Sequence, residues 1–349
     1  MSFFEEELDL QKWIKEDREK CLQLFLEYEY GFFPLSNETV TYQIVDTKVL
    51  DEILIQKIEM DCKGHKMYFA LYLPSEVKSI LKTFVTLVHP FAESKANFFE
   101  DYKSINSFCP IKDIIKRGFA VALVSAKTIA EDVINGKETG IFKVCNNNVT
   151  SNTGGVLSAW SWGCSKVMDY LETRPEIDSS KVAIIGHSRG GKTALLTGAL
   201  DSRFILSISN NSGNSGAALS RGNTGETIKD ITTNFPYWFC ENYKQYAQNE
   251  NKLPFDQHML IGLQAPRYCY IASASNDHWA DPYGELQSAI LASKYYEMYG
   301  CVGLNVPNEI ELDVSYNGGR IAYHRRKGDH ALTSFDWDKY MDYFENIIK

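Results

Sequence analysis

The chain has 349 residues, of which 44% are hydrophobic and 23% charged, and its formal net charge is −9 at pH 7. This composition is ordinary for a soluble globular enzyme, and the length favours one large domain (1–349) that carries insertions. The negative charge argues against nucleic acid as a partner, because binding phosphates requires clustered Lys and Arg. No stretch has the roughly eighteen consecutive apolar residues of a membrane span.

The N-terminus and the cysteines both indicate a cytoplasmic protein. The first residues, MSFFEEELDL, are acidic from residue 5 and lack the basic stretch and apolar run of a secretory signal. The eight cysteines are scattered, with no C-x-x-C pair and no metal-ligand spacing, which is typical of isolated reduced thiols. We therefore expect a soluble cytoplasmic protein, and the sequence implies neither a metal nor an organic cofactor.

The first third of the chain predicts a helix followed by an antiparallel meander. Residues 7–30 carry apolar side chains at helical spacing, and Pro34 follows them. Three strand-like runs come next, and a Lys-Gly turn separates the last two; the runs are 39–45, 53–62 and 66–74.

From residue 83 onward the pattern changes to alternating strands and helices. Residues 83–90 and 119–126 are nearly continuous apolar runs, typical of strands that are buried on both faces, and a helical segment at 111–117 lies between them. The further strand candidates are 181–186, 204–210, 267–275 and 309–316, separated by helical stretches such as 155–172 and 283–299. The prediction is an α/β fold with a mainly parallel central sheet, helices on both faces and antiparallel strands at the N-terminal edge. The segment 211–266 has little strand character and is interpreted as an insertion or cap.

A Gly-x-Ser-x-Gly pentapeptide, residues 186–190, stands between a predicted strand and a helix-forming run. This is the context of a nucleophile elbow, in which Ser188 is exposed on a sharp turn. We expect a β-carbon at either Gly186 or Gly190 to collide with neighbouring elements. The backbone N–H of Arg189, at the helix N-terminus, is placed to stabilise an oxyanion. The alternative is that Ser188 is only a turn residue in a glycine-rich corner.

A nucleophilic serine needs a histidine base, which follows the serine in the chain order of such sites. His330 lies in a Gly-Asp-containing loop after the last strand candidate and before a terminal helix, which makes it the best candidate. His258 lies in the insertion and His324 within a strand-like run, so both are interpreted as structural or substrate-facing residues.

The acid of the triad should come from the end of a late strand. Asp277 and Asp281 both follow the strand candidate 267–275, and Asp277 is nearer its end. Asp281 precedes Pro282, which is the pattern of a helix N-cap. Asp277 is therefore the predicted acid, and Asp281 remains the alternative.

Several segments together resemble the glucuronoyl esterases, which are carbohydrate esterases of the α/β-hydrolase superfamily, and related bacterial proteins of the acetylxylan-esterase type. The segments are GHSRGGKTALLTGA, ISNNSGNSGAALSR, FPYWF, LPFDQHML, APR, DHWADPYGE and GDH. The resemblance runs from about residue 20 to the C-terminus, and the combination is far more specific than the pentapeptide alone.

The resemblance implies roles for individual residues. Ser188 is expected as the nucleophile, and Arg189 as a helper at the oxyanion through its backbone and its guanidinium. Lys192 is expected to contact sugar hydroxyls, and its spacing from Ser188 places both on one helix face; the alternative is a solvated helix lysine. Trp279 is similar to a tryptophan that lines the sugar site, although core packing is equally open. Three weaker candidates either anchor a carboxylate or hold the insertion in place: Arg221, Gln257 and His258.

The chain departs from the family at one position. Many members carry a glutamate as the acid where this chain has Asn211, and an amide cannot stabilise an imidazolium by charge. Other members place an aspartate after the following strand, which agrees with Asp277.

The hypothesis from the sequence is a two-step acyl transfer on a small carbohydrate ester, in which His330, oriented by Asp277, activates first Ser188 and then water. Glucuronoyl ester and acetyl ester both remain open as substrates. A carbohydrate-binding protein that has lost catalysis and an amide hydrolase with the same triad are the rivals. The second oxyanion donor, for which the loop 89–94 is a candidate, and the oligomeric state are left open by the sequence.

Overall fold

A ten-stranded mixed sheet forms the centre of the computed structural model, which describes residues 9–35, 38–89, 97–145 and 149–347. In chain order its strands are β1 (Thr41–Leu50), β2 (Ile53–Cys62), β3 (His65–Pro74), β4 (Leu81–Val88), β5 (Phe119–Ser125), β6 (Ile177–His187), β7 (Phe204–Asn210), β8 (Tyr268–Ala274), β9 (Ser315–Tyr316) and β10 (Ile321–Arg326). In space they follow the order β1-β2-β3-β5-β4-β6-β7-β8-β10-β9.

The pairing confirms a mainly parallel sheet with an antiparallel edge. β5, β4, β6, β7, β8 and β10 pair in parallel, whereas β1, β2 and β3 form an antiparallel meander that joins β5. The parallel strands point their carboxyl ends to one edge of the sheet, where the loops that follow them meet.

Helices precede, connect and follow the strands. They are α1 (Leu10–Lys12), α2 (Arg18–Tyr28), α3 (Ile111–Lys116), α4 (Ala126–Ile129), α5 (Val156–Leu171), α6 (Arg189–Leu200), α7 (Ile228–Asn234), α8 (Gln257–Gly262), α9 (Pro282–Glu297) and α10 (Ser334–Asn346). A π-helical turn, Trp13–Asp17, joins α1 and α2 into the predicted N-terminal helix. The short 3-10 helices are Tyr102–Ile105, Gly136–Glu138, Gly140–Val144, Glu241–Tyr246, Glu250–Lys252 and His278–Ala280. None of the helices in these described ranges combines the length and the apolar character that a membrane span requires.

Helices cover both faces of the sheet, which explains the continuous apolar runs of the central strands. Along β6, Val182 and Ile184 pack into a core with α2, α5 and α6, whereas Ala183 and Ile185 pack into a second core with α3 and α10. Successive strand residues point to opposite faces of the sheet, and helices cover each face, so both pairs of residues are buried.

The strand prediction for residues 309–316 is wrong in its greater part. Only Ser315–Tyr316 forms a strand, β9, and the last parallel strand is Ile321–Arg326. Residues 311–314 are exposed, so the alternation of EIELDV reflects no buried sheet face. The buried run beginning at Ile321 instead pairs with β8.

The segment 211–266, which is fully described, contains helices and one isolated bridge between Asn214 and Ala218. Its chain leaves the sheet at the carboxyl end of β7 and, because β8 is parallel to β7, enters β8 at the opposite edge of the sheet.

Candidate active site

Ser188 lies at the sharp turn between β6 and α6. Its φ of 57° and ψ of −125° are in a region that side-chain-bearing residues rarely adopt, and its N–H donates to the carbonyl of Asn210 at 2.8 Å. Such strain is typical of residues that the surrounding structure holds for a function. Gly186 makes the turn possible, because a β-carbon there would lie 1.9 Å from the carbonyl oxygen of Gly190.

The expectation for the second flanking glycine is wrong. A β-carbon on Gly190 would meet nothing closer than the Leu87 carbonyl oxygen, at 3.7 Å. The tight position is Gly191, whose β-carbon would lie 3.0 Å from both Ser209 Oγ and Ser212 Cβ. The close approach between α6 and the turn after β7 therefore constrains the third glycine of the motif.

We expect Gly186→Ala and Gly190→Ala to differ sharply in stability. The first places a methyl group on a backbone carbonyl that cannot move without breaking the turn, and should cost about 3 kcal/mol or more. The second adds a methyl group on a helix at ordinary van der Waals distance from Leu87, and it should be neutral or stabilising by about 0.5 kcal/mol. Urea unfolding of the two variants measures the difference; equal midpoints would contradict the geometry.

Asp277 and His330 form a hydrogen-bonded pair. His330 Nδ1 lies 2.6 Å from Asp277 Oδ2, and the aspartate is buried while 42% of the histidine side chain is exposed. Burial raises the pKa of the Asp277 carboxyl, but the hydrogen bond and charge of His330 and the hydrogen bond from Asn211 outweigh it, so this pKa lies below its usual value. The pair is therefore a carboxylate held against Nδ1 of the imidazole.

Asp281, the alternative acid, is a helix cap. Its φ is 53°, its Oδ1 accepts from the N–H of Gly284 at 3.1 Å, and its Oδ2 accepts from the N–H of Thr224 at 3.2 Å. These contacts start α9 and tie it to the segment 211–266, and they agree with the N-cap interpretation.

Asn211 takes part in the site although it is not an acid. Its side-chain amide donates to Asp277 Oδ2 at 2.9 Å, so Asp277 Oδ2 accepts from both Asn211 and His330. Asn211, at the position where many of the similar esterases carry a glutamate, thus orients Asp277, the aspartate that follows β8.

His187, directly before Ser188, packs against the base. Its ring centroid lies 4.5 Å from that of His330, and its Nδ1 lies 2.6 Å from Asn210 Oδ1. Burial lowers the pKa of His187 to about 3, and the charge of His330 adds to this effect. His187 is therefore neutral and forms an uncharged wall beside the imidazole.

Ser188, Asp277 and His330 line one cavity of about 310 Å³. Its wall also includes residues of α6, of the turn after β7, of the segment 211–266 and of the loop after β8. They are Arg189, Lys192, Asn211, Ser212, Gly213, Glu226, Phe235, Trp238, Trp279 and Ala280.

The Arg189 guanidinium is held on the wall of this cavity. It forms an ion pair with Asp132, and its Cζ lies 4.7 Å from the ring centroid of Trp238. Trp238 stacks on Phe235 with centroids 3.9 Å apart, and its indole N–H donates to Asp132 at 2.7 Å. Charge, stacking and hydrogen bonding therefore restrain the guanidinium beside Ser188.

Lys192 is buried and is not a solvated helix lysine. Its Nζ lies 3.0 Å from Glu226 Oε2 and also donates to the carbonyl of Asn214. Lys192 and Glu226 together present a buried cation and a buried carboxylate to the cavity, a set of donors and acceptors that suits sugar hydroxyls.

Trp279 is 54% exposed and lines the cavity, so it is not a core residue.

The three weaker candidates, Arg221, Gln257 and His258, do not line the cavity. Arg221 pairs with Asp256 at 3.3 Å, and Gln257 donates to Glu29 at 2.9 Å. His258 is half-buried, and burial lowers its pKa to about 3. The contacts of Arg221 and Gln257 are those of residues that hold the segment 211–266 in place, the second of the two roles considered for these candidates.

Sequence reasoning missed the residues that surround Arg189 and Lys192. Phe235 and Trp238 stand in the FPYWF segment but carried no assigned role, and no local pattern around Asp132 or Glu226 marks them.

Most of the loop 89–94, considered for a second oxyanion donor, lies outside the described residues. Within the described residues, no group of three or more His, Cys, Asp or Glu side chains could hold a metal ion.

Comparisons with known proteins identify a matching family model and similar esterases. The family model "Glucuronyl esterase, fungi" matches residues 101–300. A carbohydrate esterase from an unknown prokaryotic organism is 36% identical over 96% of this chain and 85% of its own length. A 4-O-methyl-glucuronoyl methylesterase of Podospora anserina is 34% identical over 44% of this chain and 34% of its own length.

Solved structures match over nearly the whole chain. The glucuronoyl esterase from Solibacter usitatus has a TM-score of 0.89 at 31% identity, covering 98% of this chain and 95% of its own. A promiscuous CE15 esterase from a marine bacterial metagenome has a TM-score of 0.88 at 34% identity, covering 97% and 93%.

The parallel sheet, the strand-to-helix turn and these likenesses define a carboxylic ester hydrolase with the α/β-hydrolase fold that acts on carbohydrate esters. Within that class, the chain belongs to the glucuronoyl esterase family, carbohydrate esterase family 15.

Proposed function

We propose that this enzyme hydrolyses glucuronoyl esters by a serine acyl-transfer mechanism. The observation that carries the proposal is a single cavity in which Ser188 and the Asp277–His330 pair adjoin the buried Lys192–Glu226 pair. The first group supplies a nucleophile and its base, and the second supplies contacts for a polar sugar ring.

The hydrogen bond between His330 and Asp277 supports the following proton path. Because His330 Nδ1 bonds to Asp277, its Nε2 is the nitrogen that takes the proton from Ser188 Oγ as the serine attacks the ester carbonyl. The imidazolium then gives that proton to the leaving alcohol, and an acyl-enzyme remains. In the second step His330 takes a proton from water, which attacks the acyl carbon, and the imidazolium then gives that proton to Ser188 Oγ as the bond between Ser188 and the acyl carbon breaks and the acid is released. Asp277 keeps its negative charge throughout and stabilises the imidazolium.

Arg189 is the proposed oxyanion residue. Its N–H opens α6, where the first N–H groups of a helix have no partner within that helix and the dipole favours negative charge. Its guanidinium is restrained by Asp132 and Trp238, so little reorganisation is needed when charge develops on the carbonyl oxygen.

Lys192, Glu226 and Trp279 are the proposed sugar contacts. We place the acyl group against these residues: a glucuronate acyl group would bring hydroxyl partners to the Lys192–Glu226 pair, whereas an acetyl group there would bring none. Curated relatives carry the name 4-O-methyl-glucuronoyl methylesterase, and this supports a glucuronate acyl group. The resulting alcohol is methanol or a larger aromatic alcohol.

A cytoplasmic location remains part of the proposal. All eight cysteines are free thiols, which suits a reducing compartment and small imported oligosaccharide esters as substrates. Fractionation of the native cells tests it, and recovery of the protein outside the cells would reject it.

Parallel initial rates on a benzyl ester of glucuronic acid and on an acetylated xylo-oligosaccharide test the proposed substrate. We expect kcat/KM for the glucuronate ester to be higher by about 100-fold, because a site with buried polar groups discriminates strongly against a ligand that leaves them unpaired. Faster acetyl release would assign the protein to the acetyl esterases. No hydrolysis of either ester would favour a carbohydrate-binding role.

A further inference from the structure

Glu285 is a buried carboxylate beneath the floor of the catalytic cavity. It lies on α9, closes the DHWADPYGE segment, and has no exposed surface. Its Oε1 accepts from the N–H groups of Ser212 at 2.8 Å and Gly213 at 3.0 Å. Its Oε2 accepts from the hydroxyl of Ser273 on β8 at 2.6 Å. The proposed mechanism gives this group no role.

The turn that Glu285 binds, residues 211–213, carries the amide that contacts Asp277. Asn211 and Gly213 have φ angles of 48° and 65°, so this is a turn of left-handed residues that needs support from its hydrogen bonds. The N–H of Asn211 donates to the carbonyl of Ala272 on β8 at 2.7 Å. Ser212 and Gly213 themselves line the cavity.

A continuous chain of contacts joins Glu285 to the base. Glu285 holds the turn 211–213, Asn211 of that turn donates to Asp277 at 2.9 Å, and Asp277 holds His330 at 2.6 Å. We propose that Glu285 is a positioning residue that sets the orientation of Asp277 toward His330 through this turn. This inference rests on the proposed roles of Asp277 and His330.

The charge of Glu285 can change near neutral pH. Burial raises the pKa of Glu285 to about 7, although the hydrogen bonds from Ser273, Gly213 and Ser212 oppose the rise. The titratable groups that face it are Asp277, from the loop after β8, and Tyr323 on β10, whose hydroxyl pKa burial raises. Ionised Glu285 makes charge-assisted bonds to the turn and places a second negative charge behind Asp277, and both effects favour the imidazolium.

Glu285→Gln is the informative variant, because it keeps the shape and an acceptor for the two N–H groups but cannot ionise. At pH 8 we expect kcat on the glucuronate ester to fall about three- to tenfold and KM to stay within about twofold, since weaker orienting bonds affect the transition state only. Protonation of the base His330 causes a one-proton decline of kcat as pH falls. Wild type should show an extra step in kcat near pH 7, a second decrease caused by protonation of Glu285. Glu285→Gln should show the one-proton decline alone.

Two further variants separate titration of Glu285 from general damage. Ser273→Ala removes the hydroxyl that lowers the pKa of Glu285, so the extra step should move to higher pH. Asp256→Asn changes another buried carboxyl with a raised pKa, one that binds Arg221 and Ser220 instead, so its pH profile should keep the wild-type shape.

Thermal unfolding tests the raised pKa of Glu285 independently of activity. Because the folded pKa of Glu285 lies above its usual value, the folded state keeps a proton that the unfolded state loses between pH 4.5 and about 7, and stability falls as pH rises through this window. Glu285→Gln should therefore melt no lower than wild type at pH 8.

A Glu285→Gln profile that superimposes on the wild-type profile after scaling would overturn the positioning role. This outcome differs from failure of the proposed function, in which wild type itself would show no hydrolysis that depends on Ser188.

Discussion

Replacing Ser188 with alanine is expected to lower kcat/KM on the glucuronate ester by about 10⁴-fold or more, because removal of a triad nucleophile leaves only the oxyanion site and binding. The strained turn at Ser188 presents its side chain at the cavity that His330 also lines. Initial rates with purified wild type and Ser188→Ala, at equal active protein, measure the effect.

The control for this prediction is binding without turnover. Lys192 and Glu226 are untouched in Ser188→Ala, so the variant should bind the ester with a Kd close to the wild-type KM and melt at a similar temperature. Hydrolysis within tenfold of wild type would show that another group is the nucleophile. Lost binding together with a lower Tm would point to a structural serine.

Replacing Asp277 with asparagine is expected to lower kcat by about 10⁴-fold with a smaller effect on KM, as an asparagine does at the same place in other triads. The amide carries no charge to stabilise the imidazolium, and its NH₂ group would present a donor to His330 Nδ1, which favours the wrong tautomer. The kcat on the glucuronate ester, measured where the base is neutral, tests this.

Asp281→Asn is the matched control, because the same chemical change is made four residues away. Asparagine tolerates left-handed backbone and keeps the cap bond to the Gly284 N–H, so kcat should stay within about threefold; it lacks the second acceptor for the Thr224 N–H, so stability should fall by about 1–3 kcal/mol. Equal losses in both variants, or an active Asp277→Asn, would remove Asp277 from the role of acid.

Strand order was the strongest guide that the sequence offered to the site. In a parallel sheet the loops that follow the strands meet at one edge, so a serine after β6, an aspartate after β8 and a histidine after β10 are brought together by topology alone. The continuous apolar runs identified the central strands because helices cover both faces. The strand prediction for 309–316 was wrong because alternation predicts a strand only where one face is buried, and that segment is largely exposed.

The sequence by itself therefore determined the fold class, the turn at Ser188 and the pairing of Asp277 with His330, because each depends on local pattern and chain order. Only the tertiary structure decided which residues surround them. Asp132 reaches Arg189, Glu226 reaches Lys192, and Glu285 reaches the turn at 211–213 across long separations in the chain. Burial and partner determine the charge and role of such carboxyl groups, and both are set when distant segments pack together, so no local sequence pattern records them.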